Sequence, residues 1–172
     1  MFYDVNLLDM SMPLFKLISN NWMLITAGTL ENHNTMTASW GGFLVLWNEN
    51  MATIFVRPQR YTKEFIDREK FFTLSFFEEK FKDKLTFCGR NSGRNIDKDK
   101  ETKLTPFEFS SSVAYEEAGL IFLCEKVFST RIKEDEILDK TVIDRCYKEK
   151  DFHEMYIARI KSVKAKKPNL LF

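Results

Sequence analysis

Apolar positions along the chain fall in short runs, and most of the runs alternate with polar residues. Residues 12–19 (MPLFKLIS) are an exception, with Leu14, Leu17 and Ile18 at helical spacing, which predicts a short helix. Residues 22–30 (WMLITAGTL) and 35–46 predict two strands, and the turn residues ENHN between them allow a hairpin. A third strand, 51–57 (MATIFVR), stops at Pro58. Thr62 then has the character of an N-cap for a short helix with Phe65 and Ile66 inward. FFTLSFF (71–77) is a further strand and 78–87 reads as helix, while 88–103 is a loop rich in Gly, Asn, Ser and Lys. Residues 113–115 predict a short strand and 119–129 a longer one. Residues 133–146 are helical or irregular, and 153–165 alternates, with Met155, Ile157 and Ile160 against Glu154, Arg159 and Lys161. Strands that do not alternate with long helices disfavour a doubly wound parallel sheet. A mainly β fold with short helices, an antiparallel barrel, fits better.

Composition sharpens this picture. A chain of 172 residues suits a single domain with its own core. The 17 Phe, 5 Tyr and 3 Trp amount to 15% of the chain, enough for a thick aromatic core or a planar ligand. The 26 basic and 25 acidic side chains leave a net charge of +1, which argues against a dedicated nucleic-acid binder. Three widely spaced cysteines, Cys88, Cys124 and Cys146, form no CxxC pair and read as reduced thiols of a cytoplasmic protein. The first residues lack the basic and apolar regions of a signal peptide, and no run of about 18 apolar residues predicts a membrane span.

Charge is unevenly distributed. Residues 1–56 carry a net −3, residues 57–103 a net +4, and 104–172 balance. Between Asn32 and Asn48 there is no Asp, Glu, Lys or Arg, which marks either a buried strand pair or a ligand wall. The common catalytic signatures GxGxxG, GxxxxGK[ST] and GxSxG do not occur, and two histidines, His33 and His153, exclude a His-rich metal site.

Three loops carry the candidate chemistry. In HNTMTASWGG (33–42), short polar side chains flank Gly41–Gly42, and Trp40 offers a broad apolar face; a hairpin with a core Trp would look the same. FVRPQRYTKEF (55–65) gathers Arg57, Arg60 and Lys63 where a strand gives way to a helix. Guanidinium forks and helix N–H groups there suit a phosphate, although the same residues also suit surface ion pairs. FCGRNSGRNIDK (87–98) combines two glycines with Arg94 and Lys98, as an anion-friendly loop or an ordinary surface loop. His153 alone reads as a structural histidine as readily as a functional one.

Taken together and in this order, WMLITAG (22–28), NTMTASWGG (34–42), VRPQRYTKEFID (56–67), FCGRNSGRNIDK (87–98) and HEMYIARI (153–160) resemble the flavin reductase-like family, in particular its flavoredoxin-type branch. The resemblance covers about residues 14–160. It implies an FMN-binding split β-barrel, commonly a homodimer with the flavin near the subunit interface. It implicates Asn34, Met36, Thr37, Ala38, Ser39 and Trp40 along the isoalloxazine and ribityl chain, and Arg57, Arg60, Tyr61 and Thr62 at the phosphate side. Ser92, Arg94 and Lys98 would close the site, and His153 matches a histidine of the last-strand motif. After Tyr-Ile the family more often has Gly-Glu, where this chain has Ala158–Arg159. Phe172 is a further candidate, folding over a flavin.

The implied activity is hydride transfer from NAD(P)H to bound FMN and on to a free flavin or protein acceptor. The alternative is an electron carrier reduced by a protein partner. Neither needs a catalytic acid or nucleophile. A cationic Lys98 or His153 near the flavin would raise its potential.

Overall fold

In the computed structural model, residues 1–166 are described. The alternating runs become strands of an eight-stranded sheet in which every pair is antiparallel. β2 (Met23–Gly28) and β3 (His33–Ala38) form the expected hairpin. β4 (Gly41–Leu46) pairs with β5 (Glu49–Val56) through a two-residue turn, Trp47–Asn48, with φ of 53° and 58°. Positive φ at both turn residues is the geometry that follows the strand twist. β6 (Phe71–Phe76), β9 (Leu120–Arg131) and β10 (Glu154–Ala165) complete the path β3–β2–β6–β9–β10–β5–β4, and β1 (Tyr3–Asp4) adds to β10. The two ends of this path, β3 and β4, are consecutive in the chain. The barrel is therefore joined there by Ser39 and Trp40 rather than by strand pairing, which is the split.

The run 35–46, expected as one strand, is thus two strands on opposite edges. Gly41 makes the crossing possible: its φ is +154°, and a Cβ there would meet the Thr53 carbonyl at 2.6 Å.

β2, β6 and the first five residues of β9 are buried on both faces. Met23, Ile25, Phe72, Leu74, Phe76, Leu120 and Phe122 fill the barrel with Ile54, Tyr156 and Leu17. The alternate residues Leu24, Ile121 and Leu123 join a second core with Leu85, Cys88, Phe109 and Tyr115. That second layer comes from α3 (Lys82–Arg90) and the hairpin β7 (Pro106–Phe109)–β8 (Ser112–Tyr115). The sequence reading identified β8 and missed β7, because Pro106 disguises its start.

Four other expectations are corrected. The first helix is only α1 (Leu14–Lys16), continued by a wider turn over Leu17–Asn21. Of its three apolar residues Leu17 is fully buried, whereas Leu14 is exposed. Helix α2 (Tyr61–Arg68) buries Phe65 and Ile66 as expected, but its cap is Arg60. Thr62 lies in the first turn, where its hydroxyl accepts from Asn34 Nδ2 at 2.6 Å instead of capping. Residues 88–103 are not all loop. They contain the end of α3 and a short helix, α4 (Lys98–Thr102), capped by the Asp97 side chain. Within 133–146 the ordered parts are a single 3-10 turn, Glu134–Glu136, and α5 (Thr141–Cys146). This excursion between β9 and β10 returns the chain so that Ile132 N–H donates to the His153 carbonyl. Among the described residues, no helix is long and apolar enough to cross a membrane.

Candidate functional site

A cleft of about 270 Å³ lies at the split, where β3 leaves the sheet and β5 ends beside the start of β10. Met36, Thr37, Ala38, Ser39, Trp40, Phe55, Arg57, Arg60 and His153 line it. Eight of these were singled out from sequence. Phe55 was not, although strand alternation sets it on the opposite face from the core residues Ile54 and Val56.

The walls differ in chemistry. Trp40 is 43% exposed, yet its ring lies 4.9 Å from the imidazole of His153. Thr37 Oγ1 donates to the Leu85 carbonyl at 2.5 Å, which ties β3 to α3. Gly89, one turn further along α3, packs so closely that a Cβ would come within 3.3 Å of Thr37 Cβ.

At the opposite wall, Arg60 Nη1 donates to the Gly89 carbonyl at 2.7 Å, which brings the second and third sequence loops together. Arg57 ion-pairs with Asp151 and donates to the Cys146 carbonyl at 2.8 Å. Asp151 is shared, since Gln59 Nε2 also donates to it at 2.7 Å. The surroundings of His153 thus hold two guanidinium groups, Arg57 and Arg60, and one carboxylate, Asp151, which pairs with Arg57. Burial and the charge of Arg57 both depress the pKa of Arg60. Burial, then Arg57, with a smaller push from Arg60, drives His153 down to about 4 against the opposing charge of Asp151. His153 is thus neutral near pH 7 and cannot supply the cation that sequence reasoning considered for it.

The remaining predicted residues lie elsewhere. Asn34 and Lys98 line a separate, more polar cavity of about 300 Å³ together with His33, Gly93, Asp99 and Tyr115. Asn34 is buried against Thr62 and Gly93, where a Cβ on Gly93 would collide with its side-chain oxygen. Lys98 is buried, and its ammonium donates to the carbonyls of Thr35 at 2.6 Å and Cys88 at 2.9 Å. Burial lowers its pKa to about 8. It braces the backbone behind the cleft. Tyr61 packs edge-on against Phe65 and carries the Arg94 guanidinium 4.4 Å over its face; Arg94 also ion-pairs with Glu64. Ser92 is exposed and accepts from the Arg94 amide. Phe172 lies outside the described residues.

Sequence reasoning missed Tyr147, whose hydroxyl is 3.0 Å from His153 Nδ1. It sits in a segment with no regular periodicity, and no signal marked it. It also missed the pairing of His33 Nε2 with Asp99 at 2.9 Å, which joins positions 66 apart.

The lining of the cleft has the chemistry a flavin needs. Met36, Phe55 and the Trp40 face supply an apolar slot, Thr37, Ala38 and Ser39 border it with short side chains and backbone, and the Arg57–Arg60 corner has excess positive charge for a phosphate.

A search among curated proteins finds no sequence match. Solved structures share the fold. An FMN-binding domain of a flavin reductases-like enzyme from Shewanella baltica OS155 matches with a TM-score of 0.69 at 15% identity, over 96% of this chain and 77% of its own. Flavoredoxin from Methanosarcina acetivorans gives 0.68 at 18% identity over 88% and 71%. The styrene monooxygenase flavin reductase from Pseudomonas putida S12 gives 0.62 at 14% identity over 87% and 81%. A family model described as the flavin reductase like domain matches residues 15–172. A match of that extent, over nearly the whole chain, makes this chain a member of the flavin reductase-like family.

Proposed function

We propose that the chain, read as one domain, binds FMN in the cleft at the split and works as an NAD(P)H-dependent flavin reductase. The observation that carries the reading is the pairing, across one cleft, of an aromatic and apolar wall with two guanidinium groups, of which Arg57 meets a carboxylate, Asp151, and Arg60 a backbone carbonyl. When bound, FMN would supply hydride acceptance at its N5 and pass electrons to a flavin or protein acceptor. The chain's own residues bind and orient. Met36, Phe55 and Trp40 would hold the ring system, and Thr37, Ala38 and Ser39 would offer backbone groups to its edge. Arg57 and Arg60 would hold the phosphate with charge-assisted hydrogen bonds. Lys98 and Asn34 support the β3 backbone from behind, while Tyr61, Thr62, Ser92 and Arg94 stabilise the loops that carry the two arginines.

The cleft's 270 Å³ falls just below the roughly 300–1,000 Å³ of ligand sites. Trp40 and the nearby edge strand leave apolar surface uncovered, with Val45 72% and Trp47 59% exposed. A second copy covering this surface would complete the site, so the reading includes a homodimer. Free thiols at Cys88, Cys124 and Cys146 suit the cytoplasm.

Titration of the flavin-free chain with FMN, followed by flavin fluorescence, tests the binding. The Arg57→Ala, Arg60→Ala double variant should bind FMN at least about 100-fold more weakly, since such hydrogen bonds contribute about 1.5–3 kcal/mol each. Unchanged affinity would refute the phosphate assignment. Rapid mixing of the FMN-loaded chain with NADH or NADPH tests the reaction. Loss of flavin absorbance within seconds supports a reductase. No loss with either donor overturns that half of the reading and leaves a carrier reduced by a protein partner.

A further inference from the structure

The corner that holds His153 contains a hydrogen bond that the binding roles above do not use. Tyr147 stands at the C-terminal end of α5, where its amide donates to the Ile143 carbonyl at 2.8 Å. Its ring is 4% exposed, packs 4.7 Å from Phe152, and lies 5.4 Å beneath the Arg57 guanidinium. Its hydroxyl is 3.0 Å from His153 Nδ1. Trp40 covers one face of the imidazole. Nε2 makes no hydrogen bond to a described residue, and His153 lines the cleft, so Nε2 is the nitrogen left for a ligand there.

A neutral imidazole has one N–H and one lone pair, and the partner of one nitrogen decides which is which. Here the partner is a phenol. Its O–H is the better donor of the pair, and a bare imidazole nitrogen is the better acceptor. Burial raises the Tyr147 pKa, so the phenol keeps its proton. A cation over the ring face draws electron density from it and strengthens O–H donation. The charged and titratable groups around His153 are Arg57 at the end of β5, Arg60 before α2, Asp151 in the loop before β10, and Tyr147 itself. With two guanidinium groups among them, the ring stays neutral near pH 7, and the tautomer is what remains to be set.

We propose that Tyr147 is a positioning residue that donates to His153 Nδ1 and so fixes the tautomer in which Nε2–H points toward the cleft as an uncharged donor. The ligand group it suits is an acceptor, such as a flavin ring carbonyl or nitrogen. This last clause rests on the flavin reading; the tautomer is a property of the chain.

The test is nitrogen-15 NMR of the histidine ring nitrogens in the full chain near pH 7, with and without added FMN, using His153→Gln to assign the signals. Tyr147→Phe keeps the ring packing and removes the hydroxyl. The wild type should show the proton on Nε2 and a bare Nδ1. In Tyr147→Phe the two tautomers should mix, and His153 should protonate at higher pH, because the donor that favoured the bare nitrogen is gone. A proton on Nδ1 in the wild type overturns the proposal. So does a Tyr147→Phe ring with unchanged tautomer and unchanged titration. A chain that shows the Nε2–H tautomer but binds no FMN keeps the proposal and refutes the flavin reading. A chain that binds FMN with the proton on Nδ1 does the reverse.

Discussion

His33 and His153 are both packed into polar corners of the same sheet, but their ring nitrogens meet opposite company. His33 Nδ1 lies 3.1 Å from the carbonyls of both Thr29 and Leu30, and Nε2 lies 2.9 Å from Asp99 Oδ2. All three neighbours only accept, so the form with a proton on each nitrogen is the one they favour. Burial alone would depress the ring's pKa, but the hydrogen bond and charge of Asp99, then the two carbonyls, outweigh it and leave the pKa above 6.5. His153 faces a hydroxyl and two guanidinium groups, and its pKa falls to about 4. Burial pushes both rings toward the neutral form; at His153 the neighbouring guanidinium groups add to that push, whereas at His33 the accepting partners outweigh it. The His33 corner ties β3 to α4 behind the cleft, and the His153 corner faces into it.

The comparison can be broken most strongly from the His33 side. Lys98→Met removes the ammonium bonded to two backbone carbonyls beside that corner. It should cost about 2 kcal/mol, read by urea unfolding, since a buried polar group that loses its donor costs about 1–3 kcal/mol and the Thr35 carbonyl keeps a long bond from Asn34 Nδ2. Asp99→Asn keeps the shape but removes the charge opposite His33, and it disturbs the acceptor of the Tyr115 hydroxyl. Asp99 is one-quarter exposed, so a loss of about 2 kcal/mol is expected rather than the full cost of breaking a sealed pair. The His33 signal should move to lower pH in the same variant, and an unmoved titration would mean that Asp99 is not its partner. Asp97→Ala removes the cap of α4, which carries Lys98 and Asp99, for about 1 kcal/mol.

Titration sharpens the contrast further. The raised pKa of His33 contributes stability that is fully present below the unfolded value of 6.5 and is lost as pH rises through the folded value. The depressed pKa of His153 works the other way. Stability is intact above 6.5 and declines as pH falls toward about 4, because the unfolded chain takes up the proton first. His33→Gln should therefore cost more stability below 6.5 than above it, and His153→Gln should flatten the acid-side decline. Equal costs at all pH values would show that neither ring titrates differently in the fold. The smallest change expected is in Arg57→Ala, where His153 should titrate at higher pH by NMR because its strongest neighbouring cation is gone.

Much of the site was legible because its residues cluster in three short stretches. Thr37 to Trp40, with Arg57 and Arg60, needed only that the two loops meet, and the cleft they line together shows them meeting. Lys98 was harder to place. Its motif says basic residue in a Gly-rich loop, but not that a helical turn points the ammonium inward at Thr35 and Cys88. The break at Ser39–Trp40 was hidden because a continuous uncharged run has the same pattern whether it is one strand or two. Only Gly41 hinted at it, and a glycine in a strand has several other meanings.

The sequence by itself determined the class of fold and the chemistry on offer. Alternation is local, and a motif's residue types travel with it. The tertiary structure decided which of those residues share a cleft, and in what state of charge. Tyr147 and His153 are six residues apart, His33 and Asp99 are 66 apart, and neither relation is periodic. Protonation depends on burial and on charges brought near by folding, so it could not be read from the order of the residues.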